Sequence, residues 1–238
     1  MSFTTVPILF ILQIAFWIWL IRNLLFRQKL TNEQATTIIV WLALLISWGV
    51  ITSLLSIYGV YATQEFLRLL PGFWIPMIPA IITLSLYTTW SAFRAALHII
   101  VSVTPVHTFI LIQALRIAAI GGLYKATQGL MPLVFVACVG IPDFLYGLSA
   151  LILGGTSANK HVTSRVLGLW NIIGIGIIAL IAPPVFQLSL PGSLYIFQNL
   201  PDGRALLEFP MVLAPTLVVP FFIIINAIVA NHLLRSPQ

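Results

Sequence analysis

Two side chains in this 238-residue chain sit where charge is expensive. Arg116 and Asp143 each fall inside a long apolar stretch. A charge at bilayer depth costs on the order of 3 kcal/mol or more, and such groups mark ion paths, proton relays and ligand counter-ions. Arginine stays protonated in proteins, so Arg116 needs an acceptor. Asp143 is the single carboxylate inside any apolar stretch, and the two are predicted to pair. Three amides join them: Gln113, one turn from Arg116, and Asn171 and Asn226 further along the chain. Arg116, Asp143, Gln113, Asn171 and Asn226 are therefore the candidate substrate-binding residues, read as a polar file across the bilayer. The competing reading is a buried ion pair with hydrogen bonds that fix helix register.

Other chemistry is poorly provided for. There is no HExxH, Walker A, GxSxG or SxxK pattern. Asp143 has no second carboxylate beside it, and Ser149, six residues on, turns to another helix face. No catalytic residue is assigned, and an enzyme is the least favoured reading. One cysteine, Cys138, excludes an internal disulfide and any Cys/His metal spacing. His98, His107, His161 and His232 include no pair at i, i+4, so neither a metal nor another cofactor is expected. Asp202, Arg204 and Glu208 form a charged cluster in a loop, read as solvated, with a substrate-docking loop as the sharper alternative.

The elements that must hold these groups follow from composition. Hydrophobic residues make up 60% of the chain and charged residues 7%, against about a quarter charged in a soluble domain. Mean hydropathy is +1.09. A soluble fold, a disordered chain and a secreted disulfide scaffold are excluded. A helix crosses the hydrocarbon with about 20 apolar residues. Seven stretches approach that length: 5–25, 37–58, 73–96, 105–122, 131–154, 167–186 and 209–230. None alternates as a membrane β-strand would. The expectation is an all-α polytopic bundle of about seven transmembrane helices, a single integral membrane domain over residues 1–238. The first stretch is too long for a signal-peptide core and lacks a basic leader, so it is read as a span.

Basic residues set the expected orientation. Arg22, Arg27, Lys29, Arg94, Lys160, Arg165 and Arg235 fall on one side of such a bundle, and Arg68, Lys125 and Arg204 on the other. The positive-inside rule then places the N-terminus out and the C-terminus in. The net charge of +6 is an orientation signal; no basic run suggests nucleic acid. Trp17, Trp19, Trp41, Trp74, Trp90 and Tyr124 lie toward span ends and read as interfacial anchors.

Two further features concern packing. Gly140, Asp143, Gly147, Ala150 and Gly154 share one face of the fifth span, and Gly140, Gly147 and Gly154 are the candidate helix-packing residues. With small residues on the fourth and sixth spans, they predict a tight unit of helices four to six. Pro142, in the middle of the fifth span, frees the carbonyl of Cys138 and predicts a kinked or wet point.

From Gln113 onward the chain resembles a family of uncharacterised bacterial multi-span integral membrane proteins. The residues that carry the resemblance are Gln113-x-x-Arg116, Met131-Pro132-x-x-Phe135, Gly140-x-x-Asp143-x-x-x-Gly147, Trp170-Asn171-x-x-Gly174 and Pro210-x-x-Leu213-x-Pro215-Thr216-x-x-Val219-Pro220. The resemblance implies a multi-pass protein of the bacterial inner membrane and brings no activity with it. Members tend to carry Asp where Ile177 stands and His where Asn226 stands. A seven-span retinal protein is excluded, because the last span has no Lys for a Schiff base.

The function expected from these observations is binding or transport of a small solute or ion through a cavity among helices four to six. The alternative is a non-catalytic accessory or assembly subunit that binds a membrane complex, a lipid or a pigment. The lipid bilayer is the expected surrounding in either case, with a membrane-protein partner or a second copy as the macromolecular contact. A cavity that reaches Asp143 from one side favours the first, and a dry, sealed Arg116–Asp143 pair favours the second.

Overall fold

The computed structural model describes residues 4–158, 162–198 and 200–235, without the side chains of 156–158. Lys160, counted in the charge asymmetry, and His161 lie outside the described residues. The fold is all-α, with no strand among the described residues. Seven helices are long and apolar enough to cross a membrane: Val6–Phe26, Asn32–Ile57, Pro71–Thr89, Val106–Thr127, Leu133–Gly155, Ser164–Ser189 and Ala214–Arg235. In chain order they are the first to seventh spans.

Local chemistry sets the ends. Thr31 caps the second span with a full capping box: its hydroxyl accepts from the Gln34 N–H, and the Gln34 side chain accepts from the Thr31 N–H. The third span starts at Pro71 and stops at Trp90, whose backbone is extended. A shorter helix, Ser91–Val103, follows. It buries Phe93, Ala96, Leu97 and Ile100 against the second, third and seventh spans, and leaves Arg94, His98 and Ser102 exposed. The sequence suggested that the third span continues to residue 96. It ends earlier because 91–103 is amphipathic and packs along the bundle. Thr104 is extended, as the residue before Pro105 must be, and the fourth span starts just beyond.

The seventh span is the centre of the bundle. Of its apolar window 56% is buried, against 39% or less in the other six. It packs on the sixth, the third and the first spans. Gly168 of the sixth span faces Leu233 and Leu234 of the seventh. On one side of the seventh span an aromatic core forms. Trp17 and Trp41 meet edge to face at 5.0 Å, and Phe221 and Phe93 lie 5.4 and 5.9 Å from Trp41. Trp17 is 1% and Trp41 0% exposed, so neither is an interfacial anchor. Trp19 and Tyr124, at 51% and 69%, have the exposure that an anchor needs.

The connection between the sixth and seventh spans is more ordered than a surface loop. Leu190, Leu206 and Leu207 are buried with Ile75, Met131 and Phe186. The Ser56 hydroxyl donates to the Leu207 carbonyl at 2.6 Å. Asp202 is buried and accepts from the Arg204 backbone and from its guanidinium, which holds the Arg204 pKa up. The cluster expected to be solvated is thus half structural: Asp202 clasps the turn, while the Arg204 side chain stays 45% exposed.

Candidate functional site

The site begins with a close approach of two backbones. A Cβ on Gly147 would lie 2.6 Å from the Ile117 nitrogen and 2.9 Å from the Arg116 carbonyl carbon. Only glycine lets the fifth span come this near the fourth. Gly154, about two turns further along, makes room instead for the Leu111 side chain of the fourth span. Gly140 does not, for it meets only Val136 of its own helix and lines a cavity instead.

Asp143 stands one turn from Gly147 and is carried against Arg116. Arg116 is the eleventh of 22 residues in its span, and Asp143 the eleventh of 23 in an antiparallel neighbour. They therefore share a depth. A fourth span ending at 122, as read from the sequence, would set Arg116 nearer its end than Asp143 is to the end of its own span; the helix runs on to Thr127 and removes the difference. Arg116 Nε donates to Asp143 Oδ1 at 2.6 Å. Nη2 is 2.5 Å from the same oxygen, out of line for a hydrogen bond, and Nη1 has no partner. Both contacts fall on Oδ1. Oδ2 has no hydrogen-bond partner among the described residues, and the Asp143 side chain, which lines the cavity, keeps 11% exposure.

Tyr146 completes the setting and was not foreseen. The guanidinium lies 4.0 Å over its ring, and 5.9 Å from Phe222. A desolvated cation over an aromatic face gains about 2 kcal/mol. The other face of Tyr146 stacks on Trp170 at 4.2 Å. Its hydroxyl donates to the Trp170 carbonyl at 3.2 Å, and Trp170 Nε1 donates to Ser149 Oγ at 2.9 Å. The available signal was position: Tyr146 is three residues after Asp143, on the same helix face.

The three amides divide. Asn226 is fully buried beside the Tyr146 hydroxyl, both pressed on Gly174, although neither amide atom of Asn226 meets hydrogen-bond geometry. Gln113 is also fully buried, and both its amide atoms lack a protein partner. It lies in a tight 3-10 stretch, Gln113–Ala119, where residues three apart eclipse, so it shares the side of Arg116. Asn171 donates to the Leu167 carbonyl of its own helix at 2.8 Å and stays out of the group. The expected file is a shorter group: Arg116, Asp143, Tyr146 and Asn226, with Gln113 alongside.

Above this group lies a cavity of about 880 Å³. Its walls come from the fourth to seventh spans, with the beginnings of the first and third. The helices that line it are irregular at this level. The fifth, sixth and seventh spans each contain one wide π-helical turn: Val136–Gly140, Ile177–Ile181 and Ala214–Val218. Each ends two residues before a proline: Pro142, Pro183 and Pro220. A proline ring collides with the carbonyl four residues back and offers no N–H. A wider turn relieves that collision, and such turns gather at functional sites. The freed carbonyl of Thr216 accepts from Trp48 Nε1 at 2.9 Å, and Val218 accepts from Gln13 Nε2 at 3.0 Å. The irregularity expected at Pro142 is one of three, and residues of all three turns line the cavity.

Among the described residues no cluster of three or more His, Cys, Asp or Glu is placed to hold a metal. His98 pairs with His232, ring centroids 6.1 Å apart, and not with His107. Comparison with protein-family models, curated proteins and solved structures gave no match.

Proposed function

We propose that this integral membrane protein binds, and serves to move, a small molecule through the cavity above Arg116 and Asp143. The observation that carries the reading is the second oxygen of Asp143. A purely structural ion pair would turn both oxygens onto protein donors, because an unpaired buried acceptor is costly. Here one oxygen holds Arg116 and the other faces a cavity of about 880 Å³. Ligand pockets for small organic molecules span roughly 300–1,000 Å³. A bare ion needs far less, since a water's share of space is about 30 Å³. We therefore read the cargo as an organic solute. Exposed apolar side chains such as Leu133 and Leu180, at 70% and 74%, suit contact with lipid and need no protein partner. We place the protein in a bacterial inner membrane on the family resemblance, and its N-terminus out on the charge asymmetry.

Native mass spectrometry of protein purified in mild detergent tests the reading. A small molecule retained by the wild type and lost from Ala118→Trp, which fills the cavity, is the expected result. Equal retention by both, or none by either, would remove it.

A further inference from the structure

The polarity of the cavity is uneven, and the pattern specifies a ligand. Its walls are apolar along most of their length. Polar groups occur at two levels. Arg116 and Asp143 form the floor. Lys125 and Gln128 stand at the mouth, nine and twelve residues along the same span, so about 13 Å or more from Arg116.

The floor carries one positive and one negative charge in contact. A carboxylate or phosphate brought there meets the Asp143 charge, and an ammonium meets that of Arg116. Both would also lose their hydration. One atom is left open on the cavity side, the acceptor Asp143 Oδ2; Arg116 Nη1 and Nη2 are fully buried behind the carboxylate. A neutral group that donates completes Oδ2 without bringing a second charge to the floor. Hydroxyls and primary amides can donate; esters and ketones only accept.

The way in points to the lipid phase. The first and fourth spans touch through Phe16 and Phe109, 6.1 Å between centroids. Further along, Leu9 of the first span and Ala118 of the fourth both line the cavity. At Gly121 a Cβ would meet nothing within 4 Å. The open space at Gly121 is where an apolar tail longer than the cavity would pass into the bilayer.

We propose that the cavity takes a membrane-dissolved molecule with a long apolar body and one neutral donating head, a hydroxyl or a primary amide, which donates to Asp143 Oδ2. This rests on the binding reading above and names its ligand class.

A series with one tail and different heads tests it. Oleyl alcohol, oleamide, methyl oleate, oleic acid and oleylamine are added to the protein in phosphatidylcholine nanodiscs, and apparent affinity is read from the shift in melting temperature. The alcohol or the amide should bind about tenfold tighter than the ester, the worth of one hydrogen bond to a charged group. Whichever of the two is tighter identifies the head. The acid and the amine should be weakest. In Asp143→Asn the amide oxygen keeps Arg116, which turns an N–H₂ toward the cavity. The preference for alcohol over ester should then vanish, while Ala118→Trp should abolish every shift. If Asp143→Asn does not fold, the wild-type order and the Ala118→Trp control decide. Oleic acid or oleylamine as the tightest binder, or a flat series, overturns the ligand class. A flat series with a molecule still retained in native mass spectrometry leaves the binding reading standing. A flat series with nothing retained ends both.

Discussion

Phe221 and Phe222 are adjacent in the seventh span and face different interiors. Phe221 closes a dry aromatic core with Trp17 and Trp41, where the Trp41 Nε1 donates to Thr83 at 2.8 Å. Phe222 lies 5.9 Å from the Arg116 guanidinium and lines the cavity. One side is filled by large rings on regular helices. The other is lined by three widened turns and carries an ion pair. Interiors close-pack wherever side chains allow it. A void of this size beside a well-packed core needs a cause, and the prolines ahead of which the turns widen supply one that can be tested.

The largest effect is expected where the open side depends on one contact. Gly147→Leu places a side chain on the Arg116–Ile117 backbone. Overpacking and separation of the ion pair act together, and a loss above about 4 kcal/mol is expected, read as failure to recover monodisperse protein. A variant that melts like the wild type would mean that the two sides do not differ in how tightly their helices meet.

Next is the ion pair. Asp143→Ala strands a buried cation and should cost about 3–5 kcal/mol in unfolding measurements. Arg116→Met should cost less, because Asp143 can take up a proton. The double variant should cost less than the two losses added. Additive losses would show that each charge has its own support and that the open side is not organised around their pair.

Trp41→Phe probes the dry side with a milder change. It removes the hydrogen bond to Thr83 and some of the ring area, and about 1–2 kcal/mol is expected. The cavity should be untouched, so a retained small molecule should stay bound. Its loss would show that the two sides are mechanically one.

The same division separates what the residues announced from what they did not. Arg116 and Asp143 were legible because a charge among apolar residues has few places to go. Gly147 and Gly154 were legible because their spacing marks one face. Trp17 and Trp41 were misread as anchors: these spans are apolar all round, so no polar face tells core from lipid side. Tyr146 went unnoticed because a tyrosine in a membrane helix looks like any aromatic until its neighbours are known. Asn171 looked like a member of the polar file, but a side-chain amide can bond its own helix. Pro142 was read, and Pro183 lies near a span end, where a proline is ordinary, but Pro220 stands in the middle of 209–230 and was passed over. That all three widen their helices around one cavity appears only when the spans are assembled.

The smallest expected effect tests the prolines themselves. Pro220 cannot donate to the Thr216 carbonyl, and Trp48 Nε1 supplies a hydrogen bond to that oxygen at 2.9 Å. Trp48→Phe should therefore cost about 1 kcal/mol beyond the lost ring area. Pro220→Ala restores an N–H that can reach Thr216 if the wide turn tightens. In that background Trp48→Phe should cost less, because the carbonyl has a second donor. The coupling should come with slower hydrogen exchange at residue 220 and weaker retention of a small molecule, since the turn at Ala214–Val218 no longer has to be wide. Coupling with unchanged retention would place the open side's width in Pro142 and Pro183 instead. If the two changes are additive and residue 220 exchanges freely, the turn is wide for a reason other than proline. The contrast between Phe221 and Phe222 would then need another cause, in how the fifth and sixth spans pack on the seventh.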